Sequence, residues 1–425
     1  MAKQYYFLGI GGVSMSALAI MLKNLGHKVG GSDEKFGYST DLLRKENIVV
    51  DQQANFQEME KADVIVYSSA IKPENPQFQF ALKNGKTLVS RGELLSQVCK
   101  IYKNVIAVAG SHGKTTTTAM IYQILKEVNV SPSLHLGGFR IEDGKNFVIG
   151  KNDFLVTEAC EYCDNFLFLH PTISVVTNIE KEHMDYFGTF ENQLKSFKQF
   201  KMQSQKVIDS VDGLSCRNVG HDKRGCLFFD VFENGKKQFH VHLKICEDVN
   251  TQNCLYAYKV AQLLGISNEV TKRALEKFAG VKTRFERVKC PYFENVVFDY
   301  AHHPTEIKNA ILSAQKIYGE EKLVVIFQPH TFSRTKTLLD EFLQVFRQNK
   351  QTIIYKTYSA REKEEDGLSA KQLALLLKEE GKGVSYADDF EELKSLLDVL
   401  SYDSVLLFVG AGDLPQILHQ NHFVS

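Results

Sequence analysis

The sequence predicts an α/β protein made of open, mostly parallel sheets in three successive blocks, about 1–102, 103–280 and 281–425. Three observations carry this. Short apolar runs recur, and each leads into a glycine or polar turn and then a helical face, as at Gln4–Leu8, Val105–Val108 and Leu323–Phe327. The stretch Asn104–Glu127, NVIAVAGSHGKTTTTAMIYQILKE, has the strand, glycine turn, Lys-Thr and helix of a phosphate cradle. Polar clusters fall repeatedly at the carboxyl ends of the strands, where open α/β sheets bind ligands.

Composition sets the bounds. The chain has 425 residues, 44% of them hydrophobic and 24% charged, which is ordinary globular material with ample core. With 51 basic and 51 acidic residues there is no net charge, and nothing points to nucleic acid or a membrane surface as partner. No apolar run reaches membrane-spanning length, and MAKQYYFLGI enters a strand without a signal peptide. Eight cysteines are scattered. Cys160 and Cys163 are the closest pair and no second pair completes a zinc site, so free thiols in a reducing cytoplasm are expected. The chain is expected to act as a monomer or homodimer.

In the first block, strand Gln4–Leu8 runs into Gly9-Ile10-Gly11-Gly12 and a helix through Met15, Leu18, Ala19 and Leu22. A second strand, His27–Gly31, ends at Ser32-Asp33. This βαβ unit resembles a nucleotide site: glycines admit a phosphate to the backbone, and Asp33 stands where a ribose hydroxyl needs an acceptor, or is a simple turn residue. Ser14 holds the third fingerprint position, so the motif is incomplete. Strands at 62–67 and 87–89 deliver Ser68 and Arg91 to the same edge. Arg91 suits a substrate phosphate or a helix cap.

In the second block, Gly110, Ser111, His112 and Gly113 form the turn. Their backbone N–H groups and the following helix N-terminus favour an anion, Lys114 reaches terminal phosphates, and the hydroxyl of Thr115, with Thr116 beside it, can meet Mg²⁺. The loop is GxxGKT, shorter than GxxxxGK[ST], because Val108 replaces the first glycine. Strand Phe154–Thr157 ends at Glu158, and strand Ile173–Thr177 leads to Glu182-His183-Met184-Asp185. Glu158 and Thr115 are candidate Mg²⁺ ligands. His183 is either at a second metal or a loop histidine bonded to Asp185. Phe190–Phe200 reads as a helix, and strands at 226–229 and 239–243 flank an Asn234-Gly235 turn. Asn250 to Asn253 opens the helix Cys254–Leu264, where an asparagine caps the helix or reads an adenine.

In the third block, Val296–Tyr300 ends in Ala301-His302-His303-Pro304, with proline at a tolerated first helical turn. Strand Leu323–Phe327 leads to His330 and Arg334, and strands follow at 352–355 and 404–409. Arg334 and His302, expected to be buried on loops, suit a carboxylate or phosphate.

Taken together, FLGIGGVSMSALA near the start, SSAI at 68–71, AGSHGKTTTT at 109–118, TEACEYCDNFL at 157–167, TNIEKEHMDYF at 177–187, FDYAHHPTEI at 298–307, FQPHTFSRT at 327–335 and GAGD at 410–413 resemble the Mur ligase family along the whole chain. The resemblance implies a Rossmann-like N-terminal domain for a UDP-sugar, a central P-loop ATPase-type α/β domain and a Rossmann-like C-terminal domain for an amino acid. It implies ATP and Mg²⁺, with UDP-N-acetylmuramate and L-alanine as substrates and an acyl-phosphate route to an amide. By motif, Lys114 and Thr115 correspond to the phosphate-loop lysine and its metal hydroxyl, and Glu158 and His183 to metal-site residues. Asn253 corresponds to the adenine-reading asparagine. Asp299, Tyr300 and His302 match the loop that meets ATP and the amino acid, and Arg334 an arginine near the acceptor. Gly9, Gly11, Gly12, Ser14, Asp33, Ser68 and Arg91 would serve the UDP-sugar. Ser14 and Ala17 replace usual glycines, Thr331 a frequent arginine, and Glu247-Asp248-Val249-Asn250 the usual Gly-x-His-Asn.

Two other classes remain open at the level of sequence. An NAD-linked oxidoreductase would use Gly9, Gly11 and Asp33 but leaves the Lys114 loop without a role. A degenerate, non-catalytic relative would bind nucleotide without turnover.

Overall fold

The computed structural model describes residues 2–360, 362–364 and 367–424, and the side chain of Asp185 lies outside the described set. The expectation that pairs Asp185 with His183 therefore falls outside it as well. The chain divides into two compact units. One comprises Met1–Asn218, Phe229–Leu243 and Asn250–Ala279, and the other Val219–Phe228, Lys244–Val249 and Gly280–Ser425.

The first unit contains two parallel layers. Strands β1 (Gln4–Leu8), β2 (Lys28–Ser32), β3 (Val49–Asp51), β4 (Val64–Tyr67) and β5 (Thr87–Ser90) form an all-parallel sheet in the order β3-β2-β1-β4-β5. Its register pairs Leu8 with both Ser32 and Tyr67, and Tyr67 with Ser90. Gly9, Asp33, Ser68 and Arg91 are thereby delivered to one edge, the carboxyl edge.

The second layer has β6 (Asn104–Ala109), β7 (Ser133–His135), β8 (Phe147–Val148), β9 (Phe154–Glu158), β10 (Ile173–Val176) and β11 (Lys206–Ile208) in the order β11-β10-β6-β9-β7-β8. All neighbours are parallel except β7 and β8. Val108 pairs with Glu158 and Ala109 with Val176, so the ends of three strands meet around Gly110. These strands are apolar throughout because helices cover both faces, and Ile106, Ala107, Val108, Leu155, Val156 and Val175 are fully buried. The helix Lys114–Glu127 packs against Asn250–Leu263 and Asn268–Lys277.

Strands β12 (Leu214–His221), β13 (Leu227–Glu233) and β14 (Lys236–His242) make a separate three-stranded sheet. The last two flank the expected Asn234-Gly235 turn, with Asn234 at φ 49° and Gly235 at φ 81°. The sequence reading missed β12 and cut β13 short at Phe229. Buried Asp230 interrupts the apolar run there, and its charge is met by Lys237 at 2.7 Å and His240 at 2.8 Å.

The second unit carries β15 (Glu286–Val288), β16 (Asn295–Asp299), β17 (Leu323–Phe327), β18 (Thr352–Tyr355), β19 (Val384–Ala387) and β20 (Val405–Val409), ordered β15-β16-β20-β17-β18-β19. Only the β15–β16 pair is antiparallel. Asp299 and Phe327 both align with Val409, which sets Tyr300, Gln328 and Gly410 along one edge. Helix Pro304–Tyr318 begins at Pro304, with Glu306 closing a capping box. No helix among the described residues is long and apolar enough to cross a membrane, and all eight cysteines are free thiols.

Candidate functional site

The phosphate-loop geometry is set by backbone. Gly110 lies at φ 131° and Gly113 at φ 82°, conformations that side chains resist. A Cβ on Gly110 would overlap Thr177 Oγ1, and one on Gly113 would overlap Asn253 Oδ1. The turn is stapled to the segment after β10. Ser111 N–H donates to Asn178 O at 3.0 Å, and His112 N–H to Asn178 Oδ1 at 2.9 Å. Thr177 Oγ1 donates to His112 O at 2.6 Å. Thr115 is buried in the first turn of the helix, and Thr116 is half-buried beside it.

Lys114 folds over this turn. Its ammonium donates to Gly110 O at 2.5 Å, Ser111 O at 3.0 Å and Glu161 Oε1 at 3.0 Å. Burial alone would lower its pKa, but the carboxylates of Glu161 and Glu182 outweigh that and raise it, so the lysine stays charged. Glu161 is 1% exposed. His183 Nε2 lies 3.7 Å from Glu161 Oε1 and 4.0 Å from Glu182 Oε1. Glu161, Glu182 and His183 thus form a group whose ligand atoms are close enough to share one metal ion. His183 adopts φ 56° as it starts the helical turn Met184–Phe187, and its ring packs on Tyr162. Glu158 stands on the same edge and accepts the Gly137 N–H at 2.6 Å.

Asn253 is buried against the phosphate loop. Its Oδ1 accepts from Thr117 Oγ1 at 3.2 Å and its amide donates to Asn250 Oδ1 at 2.9 Å. Both Asn250 and Asn253 therefore brace the start of the phosphate-loop helix.

At the edge of the first sheet, Asp33 Oδ2 accepts the Gly11 N–H at 2.8 Å and Oδ1 accepts from Lys35 N–H at 3.1 Å. This carboxylate shapes the glycine loop, which differs from the free ribose acceptor that an NAD site needs. Gly9, at φ 77°, faces Ser68 Oγ, and Gly12 leads into the helix Val13–Asn24. Ser14 accepts from Arg91 Nη1 at 3.4 Å.

In the second unit, Asp299 is buried and accepts N–H bonds from Phe285 and Ala301, each at 2.7 Å. It anchors the turn that presents Tyr300 and His302. Burial raises its pKa to about 6 even though Arg284 and the two N–H groups oppose the shift. The expectation of buried Arg334 and His302 on loops needs correction: both are half-buried, and Arg334 lies within the short helix Phe332–Thr337. Arg334 Nη1 donates to His330 Nδ1 at 3.3 Å, and the His302 and His330 rings are 6.1 Å apart. Burial, then Arg334 and His302, lower the His330 pKa to about 3, so this ring is a neutral acceptor. His330 also stacks on Tyr358.

Sequence reasoning did not single out Glu161, Glu182 or His330 as site residues. Glu161 sits in an irregular turn whose path depends on Cys163 and Asp164 at positive φ, and no periodicity marks it. Its signal was only its place within TEACEYC, three residues beyond a strand end.

Three family models match in order: the Mur ligase family catalytic domain over residues 4–103, the Mur ligase middle domain over 108–208, and the Mur ligase glutamate ligase domain over 283–412. The UDP-N-acetylmuramate–L-alanine ligase of Caldanaerobacter subterraneus subsp. tengcongensis is 36% identical, covering 98% of this chain and 96% of its own. That of Aquifex aeolicus is 36% identical over 97% of this chain and 95% of its own. The crystal structure of the UDP-N-acetylmuramate-alanine ligase of Thermotoga maritima superposes with a TM-score of 0.86 at 26% identity, covering 99% of both chains. A murein peptide ligase from Psychrobacter arcticus shares the fold, with TM-score 0.75 at 21% identity over 99% of this chain and 98% of its own. A phosphate loop held by glycines and braced by asparagines, on a scaffold matched from end to end, leaves one conclusion: the chain belongs to the Mur ligase family.

Proposed function

We propose that this protein joins L-alanine to the lactyl carboxylate of UDP-N-acetylmuramate at the expense of ATP, in the cytoplasm, as a step in peptidoglycan precursor synthesis. The observation that carries the reading is end-to-end similarity, at 34–37% identity, to curated ligases of that activity, on a chain that keeps the charged Lys114 in its glycine cradle.

A carboxylate has no leaving group, so it must be activated before an amine can attack. Transfer of the terminal phosphoryl group of ATP gives an acyl phosphate, the amine of L-alanine adds to its carbonyl carbon, and phosphate leaves. The protein positions the reactants and balances charge. Lys114, Gly110, Ser111, His112, Gly113 and Thr116 hold the phosphates. Gly9, Gly11, Gly12, Ser68 and Arg91 hold the UDP-sugar, with Asp33 fixing the glycine loop and Ser14 anchoring Arg91. His302 and Arg334 orient the amino acid carboxylate, and His330 steadies the guanidinium.

The residues present fit Mg²⁺. Glu161 Oε2 is buried with no hydrogen-bond partner among the described residues, and hard oxygen donors suit that ion. Thr115 and Glu158 would hold one ion, and Glu161, Glu182 and His183 would hold a second. Bound there, Mg²⁺ would supply charge neutralisation to the phosphates.

The test is phosphate release from ATP in the presence of UDP-N-acetylmuramate and a panel of amino acids, with product mass read in parallel and Lys114→Ala as control. Phosphate that appears only with both substrates, and a product heavier by an alanine residue, is the expected result. ATP binding without turnover under any combination sinks the reading.

A further inference from the structure

A chain of hydrogen bonds links the nucleotide-sugar edge to the interior of the central sheet. Arg91 Nη1 donates to Ser14 Oγ at 3.4 Å, Ser14 Oγ meets His135 Nε2 at 2.9 Å, and His135 Nδ1 meets Thr157 Oγ1 at 2.9 Å. Thr157 Oγ1 donates onward to Glu158 O at 3.0 Å. His135 ends β7 and is 1% exposed, and Thr157 lies opposite it in β9 and is fully buried.

Counting protons fixes the direction of this chain. Thr157 has one hydroxyl proton, and the carbonyl of Glu158 takes it. Its oxygen must then accept, so His135 carries its proton on Nδ1. Burial and the neighbouring Arg91 hold His135 neutral, with its pKa lowered to about 4. Nε2 is therefore a bare acceptor and takes the Ser14 hydroxyl proton. That leaves the Ser14 oxygen lone pairs facing Arg91. A protonated or reversed imidazole would instead donate to the Ser14 oxygen, taking one of its two lone pairs and leaving the hydroxyl proton free to rotate.

We propose that His135 and Ser14 are positioning residues that together aim Arg91 at the anionic diphosphate of the nucleotide-sugar substrate. The role rests on the substrate proposed above. It also gives Ser14, which fills the third position of the glycine motif, a function: the hydroxyl is half of a two-residue device whose other half is the buried histidine. Without His135 the Ser14 hydroxyl is free to rotate, and without Ser14 the guanidinium loses the side-chain hydrogen bond that holds it.

The test is a binding cycle by calorimetry on the full chain, with UDP-N-acetylmuramate as ligand and ATP as reference. Ser14→Ala and His135→Val are each expected to weaken UDP-N-acetylmuramate binding about three- to tenfold, the range a single hydrogen bond supplies. ATP affinity should stay unchanged, and the double variant should lose little more than either single one. His135→Gln, whose amide reaches the Nε2 position, should recover part of the loss. In an Arg91→Ala background neither change should weaken binding further. If the single variants bind as tightly as wild type, or if their losses persist in that background, the assignment is overturned. Should wild type bind ATP but not UDP-N-acetylmuramate, the proposed function falls first and this role falls with it. Ser14→Ala removes one oxygen from a half-buried site, so the cycle does not depend on how well His135→Val folds.

Discussion

Lys114 carries a half-buried ammonium whose charge is balanced by protein before any phosphate arrives. Replacing it with methionine keeps the volume and removes the donor. Phosphate release is expected to fall by about 10²–10³, in line with loss of one preorganised charge donor in a water-poor site. A stopped assay for phosphate, run beside ATP binding, separates lost chemistry from lost affinity. Gly110 offers a second test. Alanine there meets both an unfavourable φ and Thr177 Oγ1, so a loss of about 1–3 kcal/mol in stability, seen as a lower Tm, is expected. At this scale the sequence was most legible where chemistry needs a rare combination, as in Gly113-Lys114-Thr115. It was least legible for Glu161, one glutamate among many until the turn at Cys163 and Asp164 folds it onto Lys114.

The longer apolar strands of the buried parallel layers could be read to within a residue or two, since a strand covered on both faces has few polar positions to confuse it, whereas the short strands β3, β7, β11 and β19 were not read at all. Leu323–Phe327 and Thr352–Tyr355 have the expected bounds. β12 was invisible because LSCRNVGH buries only Leu214 and presents no apolar run. The helix Phe332–Thr337 also escaped notice. It starts from Thr331 at φ 68° with no side-chain cap, so none of the usual start signals is present. Asn253 shows how one side chain can serve two elements, joining its own helix to the phosphate-loop helix through Thr117. Asn253→Ala leaves the Thr117 hydroxyl and Asn250 Oδ1 short of a partner in a buried place. A cost of about 1–3 kcal/mol is expected, measured by denaturant unfolding. ATP affinity at a temperature where the variant is fully folded then tells bracing from direct contact.

The molecule as a whole consists of two units with separate cores, and they should respond differently to pH. Asp299 in the second unit has a folded pKa raised to about 6, and neighbouring Glu247 is also pushed up, by burial first and then by Asp299 itself. A carboxyl with a raised pKa binds its proton more tightly when folded. The unit therefore gains stability as pH falls through about 6 toward the ordinary aspartate range, and loses it as pH rises back. Thermal unfolding of wild type and Asp299→Asn from about pH 5 to about pH 8 checks this: wild type should lose ground against the variant as pH rises. A constant gap across that window refutes it. The presence of three largely parallel sheets was legible because each announces itself through its own strand-turn-helix repeats. The way residues 219–228 and 244–249 join the second unit was not, because short polar segments carry no mark of the core they serve.

The ion pair between Lys114 and Glu161 bears on product inhibition. A glycine cradle with a naked lysine would attract any small anion, including the phosphate that each turnover releases. Here a fixed carboxylate already screens that lysine, so a lone phosphate meets nearly as much repulsion as attraction, whereas a triphosphate with its accompanying cations brings enough binding energy to displace the internal partner. The enzyme should tolerate accumulating phosphate well. Glu161→Gln should make inorganic phosphate a markedly stronger competitor of ATP, a change that inhibition kinetics on the two proteins would register directly.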